Sequence, residues 1–194
     1  MLNRVMSPAP ALGPFEMPET IATKRATLRV PVPSDASVLS KQAGDYDIAK
    51  MTGTIPHPLP KVSAEIWLML NQSARYRGLQ FNYAICPQGI DDVRGIAGIC
   101  KNSAQNWELG CWISRSLWGQ GYATEAAGAV IAAFMDVMGP VALHAGVFSD
   151  NPASARVLTK LGFKPTGETD NAFSMARLEN VPGRWLIREP SYEQ

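Results

Sequence analysis

The stretch Trp118-Gly119-Gln120-Gly121-Tyr122-Ala123-Thr124 carries the plainest chemical signal in the sequence. Two glycines flank Gln120, so the backbone can turn tightly and present successive N–H groups. A long helical pattern begins directly afterwards. A helix start supplies unpaired N–H donors and the positive end of the macrodipole. Ala123 keeps the approach open with its small side chain. Together these features suit a phosphate or pyrophosphate. The same glycines also serve an ordinary strand-to-helix turn, which needs them for geometry alone. No Gly-Lys-Ser/Thr follows, so this is not a Walker A loop, and the spacing departs from the dinucleotide fingerprint.

Other groups with chemistry are scattered. Asn151-Pro152 follows helix-start grammar, Asn at the N-cap and Pro at the first helical position. Ser154 falls in the first turn behind it. His57 lies in a Pro-rich loop, as an ordinary exposed side chain or a contact to substrate. His144 stands in an apolar strand pattern with Leu143 and Val147, structural or facing a cleft. Two isolated histidines without an acidic cluster give no metal site. Cys86, Cys100 and Cys111 are far apart, in apolar surroundings, without Cys-x-x-Cys spacing. Reduced core thiols are expected, and with them a cytoplasmic protein. Trp67, Trp107, Trp112, Trp118 and Trp185 read as core or cleft wall, since no basic residues interleave them for base stacking.

Elements must position these groups. Residues 26–30 alternate and read as a strand closed by Pro31 and Pro33. Ser34 looks like the N-cap of a helix carrying Val38 and Leu39. A short helix is expected near 45–51, then a loop broken by Pro56, Pro58 and Pro60. A helix opening at Lys61 or Ser63 puts Ile66, Trp67 and Leu70 on one face and ends before Gly78. Residues 81–86, 93–100 and 107–113 are strands with short connections, hence an antiparallel meander. Residues 121–138 form a long helix with Ala127, Val130, Ile131, Phe134, Met135 and Met138 as its apolar stripe. A strand over 141–148, a helix from Asn151 to Gly162 and one or more strands beyond Phe163 complete the pattern. The expected fold is mixed α/β (α+β), a mostly antiparallel central sheet flanked by helices.

Composition bounds the remainder. The chain has 194 residues, 46% hydrophobic and 18% charged, too apolar and too weakly charged for disorder. One domain is expected over residues 22–190, able to bury about 70% of its unfolded surface without disulfides. Residues 1–21 are Pro-rich and without period, and are expected to be a flexible leader. A balance of 18 Lys+Arg against 17 Asp+Glu leaves a net charge of +1, with no basic footprint for nucleic acid. The longest apolar run, 126–135, is too short to span a membrane. Prolines break up the start of the chain, so no secretory signal is expected.

Three stretches act as a joint signature. They are Glu108-Leu109-Gly110-Cys111-Trp112-Ile113, then Leu117 to Ala126, then Val147-Phe148-Ser149-Asp150-Asn151-Pro152-Ala153-Ser154 running on to Gly162-Phe163. In order and separation they resemble the GNAT superfamily of acetyl-CoA-dependent N-acetyltransferases. The likeness is greatest to the branch that acetylates the N-terminal amines of ribosomal proteins. It is strong over 107–163 and weak before 80.

The resemblance implies a sheet that splays between its fourth and fifth strands, here 107–113 and 141–148. It implies a coenzyme A pantetheine arm paired with the freed edge at Cys111, Trp112 and Ile113. The family's loop pattern, Gln/Arg-x-x-Gly-x-Gly/Ala, is matched at Gly121 and Ala123, with Trp118 at its first position as often in that branch. The N–H groups of Gly119, Gln120, Gly121, Tyr122, Ala123 and Thr124 are thereby expected to hold the pyrophosphate. Asn151 matches a residue that hydrogen-bonds the pantetheine region. Ser154 matches the position that meets the thiol, as a proton donor or an orienting hydroxyl. Glu108 matches an acidic position with a general-base role; a strand-end carboxylate binding a cationic amine is the other reading.

The expected function is acetyl transfer from acetyl-CoA to a primary amine in a ternary complex, the acceptor being a (ribosomal) protein N-terminus. Two other readings stay open. One is a small-molecule amine acetyltransferase, with an antibiotic, polyamine or amino acid as acceptor. The other is a catalytically silent coenzyme A-binding regulatory protein. No metal, nucleic acid or membrane partner is expected, and a monomer and a homodimer are equally allowed.

Overall fold

The computed structural model describes residues 16–90 and 92–190. Residues 1–15 of the expected leader lie outside the described residues, while its last residues, Thr20 and Ile21, stand in a strand. The strands are β1 (Thr20–Ala22), β2 (Ala26–Arg29), β3 (Gln80–Pro87), β4 (Gly95–Lys101), β5 (Trp107–Ile113), β6 (Leu143–Phe148), β7 (Lys164–Ser174) and β8 (Glu179–Arg188). They form one sheet in the order β1-β2-β3-β4-β5-β6-β8-β7. Every neighbouring pair is antiparallel except β5 and β6, which run parallel. The helices are α1 (Ala36–Ala43), α2 (Tyr46–Ala49), α3 (Lys61–Tyr76), α4 (Tyr122–Met138) and α5 (Pro152–Lys160). The expected meander is β3-β4-β5, and the expected mixed fold is present.

Alternation along the strands sorts side chains onto two faces. Leu28, Phe81, Tyr83, Ile99, Trp107, Leu109 and Leu143 point to one face, where Ala127, Val130, Ile131 and Phe134 of α4 cover them. The Trp107 and Phe134 rings meet edge-on at 4.9 Å. Ala84 and Ile96 point to the other face and pack with Leu39 of α1 and with Ala64 and Leu68 of α3.

Two local expectations are corrected. Ser34 does not cap α1. Residues Pro33–Asp35 form a 3-10 turn, and the buried Asp35 carboxylate accepts the Val32 N–H (2.8 Å) and two bonds from Arg29 (2.8 and 2.7 Å). The carboxylate bonds back to the residue before the 3-10 turn and is held by the Arg29 guanidinium, and α1 itself starts at Asp35 without a side-chain cap. On α3, Ile66 and Leu70 are 51% and 63% exposed, whereas Ala64, Leu68, Asn71 and Ala74 are buried. Of the expected face, Trp67 does pack against that cluster, while Ile66 and Leu70 face outward, since the small Ala64 and Ala74 let α3 lie close to the sheet.

Strand β1 escapes the sequence pattern because three residues carry no visible period. It is held by partners from distant chain. Val30 N–H donates to Glu19 O (3.0 Å) and Tyr83 O–H to Pro18 O (2.6 Å).

The decisive feature is how little β5 and β6 pair. Their register holds only at Trp107↔Leu143 and Glu108↔His144. Beyond Glu108 the two strands diverge. The chain leaves the end of β5, turns into α4, returns, and climbs β6 into α5. Parallel strands therefore place the N-termini of α4 and α5 at the same open end of the splay, outside the carboxyl ends of the strands.

Candidate active site

Main-chain groups of β5 form one wall of the splay. Ser114 N–H donates to Arg94 O (2.7 Å) and Asn102 N–H to Asn106 O (2.9 Å), at the two ends of the β4–β5 ladder. Alternation along such a ladder turns the main chain of Glu108, Gly110 and Trp112 toward β4. It turns that of Leu109, Cys111 and Ile113 toward the splay. Trp118 Nε1–H donates to the Ile113 carbonyl (2.8 Å) and closes the upper end of that edge. Of the three residues expected there, Cys111 and Ile113 present backbone to the splay, while Trp112 presents only its side chain, to the α1/α3 face.

The glycine turn stands at the head of α4. Gly119 (φ 73°) and Gly121 (φ 83°) lie in the left-handed region, which an L side chain avoids. Gly121 is the N-cap residue and offers no side-chain cap. The first intrahelical bond runs from Glu125 N–H to Gly121 O (3.0 Å), so the N–H groups of Tyr122, Ala123 and Thr124 precede the ladder and lack helical partners. A dipole end without a side-chain acceptor fits a phosphate.

The second helix start differs. Asn151 Oδ1 accepts the Ser154 N–H (3.0 Å), the expected N-cap. The cap uses the oxygen, so the Asn151 amide nitrogen is the group left to donate. Ser154 is half-buried in the first turn.

Glu108 stands in the last pair before the strands part, with Cys100 opposite on β4 and His144 opposite on β6. Burial pushes its carboxyl above the usual value; a hydrogen bond with Asn102 and the nearby His144 work against that. A carboxylate destabilised by burial holds a proton more readily, as a base for an amine must. Cys111 opens to solvent along the splay, yet protein crowds its sulfur and pushes the thiol up to about 12. It stays un-ionised at neutral pH and is a poor nucleophile. The core position expected for it is corrected: Cys111 lines the cleft, and Cys86 and Cys100 are half-buried.

A model of the acetyltransferase (GNAT) domain matches residues 25–164. The chain belongs to the GNAT acetyltransferase family. This GNAT domain is 27% identical over 151 residues to the uncharacterized N-acetyltransferase p20 of Bacillus licheniformis, covering 77% of this chain and 84% of that protein. Its fold is similar to ribosomal-protein-S5-alanine acetyltransferase from Vibrio fischeri, with a TM-score of 0.75 at 14% identity over 90% of this chain and 98% of that one. It is equally similar to Mycobacterium smegmatis RimJ in complex with CoA-disulfide, with a TM-score of 0.75 at 16% identity over 89% of this chain and 88% of that one. At these identities the structural likeness is one of fold.

Three arginines around the candidate site carry no signal in the sequence. Arg25 clasps the glycine turn from the β1–β2 corner. Its backbone N–H and Nε donate to the Glu125 carboxylate (2.8 and 2.7 Å), and its Nη1 donates to Gln120 O (2.8 Å). Its guanidinium lies 4.3 Å from the centre of the Tyr122 ring, so that ring packs on a cation. Arg115, just past β5, pairs with Asp47 of α2 (2.8 Å). Arg177, in the β7–β8 turn and 12% exposed, donates to Asp150 (2.7 Å) and to Lys50 O (2.8 Å). It ties the hairpin to the α2 loop and to the corner before α5. His57 ties its loop to the junction of α1 and α2: Nδ1 lies 2.7 Å from Gly44 O, and the ring meets Tyr46 edge-on. Among the described residues, no three His, Cys, Asp or Glu side chains gather as a metal site, and no helix is long and apolar enough to cross a membrane.

Proposed function

We propose that this GNAT protein transfers the acetyl group of acetyl-CoA to a primary amine, and that the acceptor is the N-terminal α-amine of a protein, a ribosomal one first. The observation that carries the reading is the splay itself. A β5 edge largely free of β6, an uncapped α4 start and a half-buried carboxylate meet along one cleft. The printed name of the Vibrio fischeri relative supports the choice of acceptor.

In this reading the N–H groups of residues 119–124 hold the pyrophosphate, and the backbone of Cys111 and Ile113 pairs with the pantetheine amides, with Trp112 as a side wall. The Asn151 amide nitrogen and the Ser154 hydroxyl face the thiol end. Glu108 accepts the amine proton, directly or through water. The amine then attacks the thioester carbonyl in the ternary complex, and no covalent enzyme intermediate is needed. Ser154 orients the sulfur, and its hydroxyl or a water supplies the proton to the departing thiolate.

The test is thiol release from acetyl-CoA with peptides beginning Ser, Ala or Met, beside a panel of small amines. Peptide-dependent release with N-terminal acetylation in the mass spectrum is the expected result. Release with small amines alone removes the protein acceptor. Coenzyme A binding without release on any amine removes the transferase reading.

A further inference from the structure

A polar network lies where α3 meets the sheet. Asn71, on α3, is 2% exposed. Its Oδ1 accepts from Asn82 Nδ2 (3.0 Å) and from Gln80 Nε2 (3.3 Å). A buried amide is costly where a leucine would fill the same place, and it is tolerable only with its bonds made. The network achieves one thing that packing does not require: it fixes the direction of the Asn82 carboxamide.

With Nδ2 held by Asn71, Asn82 Oδ1 lies over Gly98, in the place that a Cβ there would need. Gly98 pairs with Gly110 across the β4–β5 ladder. A Cβ at Gly110 would meet nothing within 4 Å, and Gly110 is exposed although its strand lies inside the sheet. Glu108 and Trp112 flank Gly110 on the same face. Two oxygen-bearing groups, one of them a carboxylate, thus border an open space at the start of the splay.

We propose that Asn82 is an acceptor-binding residue, whose carbonyl oxygen and the Glu108 carboxylate together bind the primary ammonium group of the acceptor over Gly110. The proposal rests on the acetyl-transfer reading and names how that site selects its amine. An ammonium offers N–H donors and charge to two oxygens; a neutral hydroxyl offers one donor and no charge. One proton passes from nitrogen to Glu108 and frees the lone pair. The nitrogen–carbon bond then forms as the carbon–sulfur bond breaks, and a second nitrogen proton ends on the departing thiol. Gly98 is glycine because any side chain there would displace Asn82.

Two variants test this. Asn82→Leu keeps bulk and removes the oxygen. Gly110→Ala places a methyl in open space without touching the fold. Butylammonium, with butanol as its uncharged match, is titrated into the coenzyme A-saturated protein while the Gly98 and Gly110 amide signals are followed by NMR. The expected result is saturable shifts with the cation alone, weakened about tenfold in each variant. In turnover, Asn82→Leu raises the KM for the amine about tenfold and leaves the KM for acetyl-CoA unchanged. Equal shifts with butanol, no shift with the cation, or wild-type affinity in both variants overturns the proposal. Cation binding here without turnover of any amine supports this site and sinks acetyl transfer. Wild-type turnover with an unchanged amine KM in Asn82→Leu sinks this site and leaves acetyl transfer standing.

Discussion

The two faces of the sheet follow different rules. On the α4 face, Phe81, Tyr83, Ile99, Trp107 and Leu143 meet Val130, Ile131 and Phe134 in one apolar cluster. On the α1/α3 face the apolar cluster reaches only as far as Ala84 and Ile96, and the rows beside it carry Gln80, Asn82, Cys100, Glu108 and His144. A face that only has to hold can be filled with apolar area. A face that admits an amine, as proposed above for this one, gives some of that area up to polar groups and glycines. Stability and activity should therefore separate by face.

The largest test of that division is Phe134→Ala on the α4 face. Phe134 is fully buried, and its loss should lower the unfolding free energy by about 3–5 kcal/mol, read from the urea midpoint. A loss below about 1 kcal/mol would mean that α4 does not carry the fold.

Glu108→Gln on the other face should do the opposite. Activity should fall about 100-fold or more, as for removal of a general base. Stability should stay level or rise. The sign follows from linkage: burial raises the folded value above the unfolded one, so the ionised carboxylate costs stability above the unfolded value. The Tm advantage of Glu108→Gln should accordingly appear as pH rises through that range and vanish in acid. A variant that unfolds as readily as Phe134→Ala would break the contrast.

Smaller effects are expected where neither rule applies fully. Arg25→Ala loosens the clasp on Gln120 and Glu125, which is part-exposed. It should cost about 1 kcal/mol of stability and raise the KM for acetyl-CoA several-fold, with the amine KM unchanged. Ile66→Gln and Leu70→Gln change side chains that point away from both faces of the sheet. Thermal melts of each should show a stability change within about 0.5 kcal/mol.

The elements were legible wherever the period was long and local. Phe134 lies on the α4 stripe at helical spacing, and β5 begins and ends where its pattern does. Asn151 announced one helix start through ordinary capping grammar, and the glycine turn at Gly119 and Gly121 announced the other. On α3 the same logic misled, because Ala64 and Ala74 look weakly apolar beside Ile66 and Leu70, yet close approach favours the small residues. Asn71 and Asn82 drew no notice, since an amide in a helix or strand reads as surface until both ends of the bond are known. Arg25, Arg115 and Arg177 were equally silent, their partners lying far away in sequence.

By itself, then, the sequence determined the order of elements, the two helix starts and the family signature over 107–163, because spacing and backbone chemistry are local properties. Only the tertiary structure decided that β5 and β6 part after Glu108 and His144. It alone left Glu108 half-buried with its carboxyl partly desolvated, turned Cys111 into a cleft-lining thiol and laid Asn82 across Gly98. Desolvation and register depend on what the rest of the chain brings alongside, and no single stretch of residues contains that information.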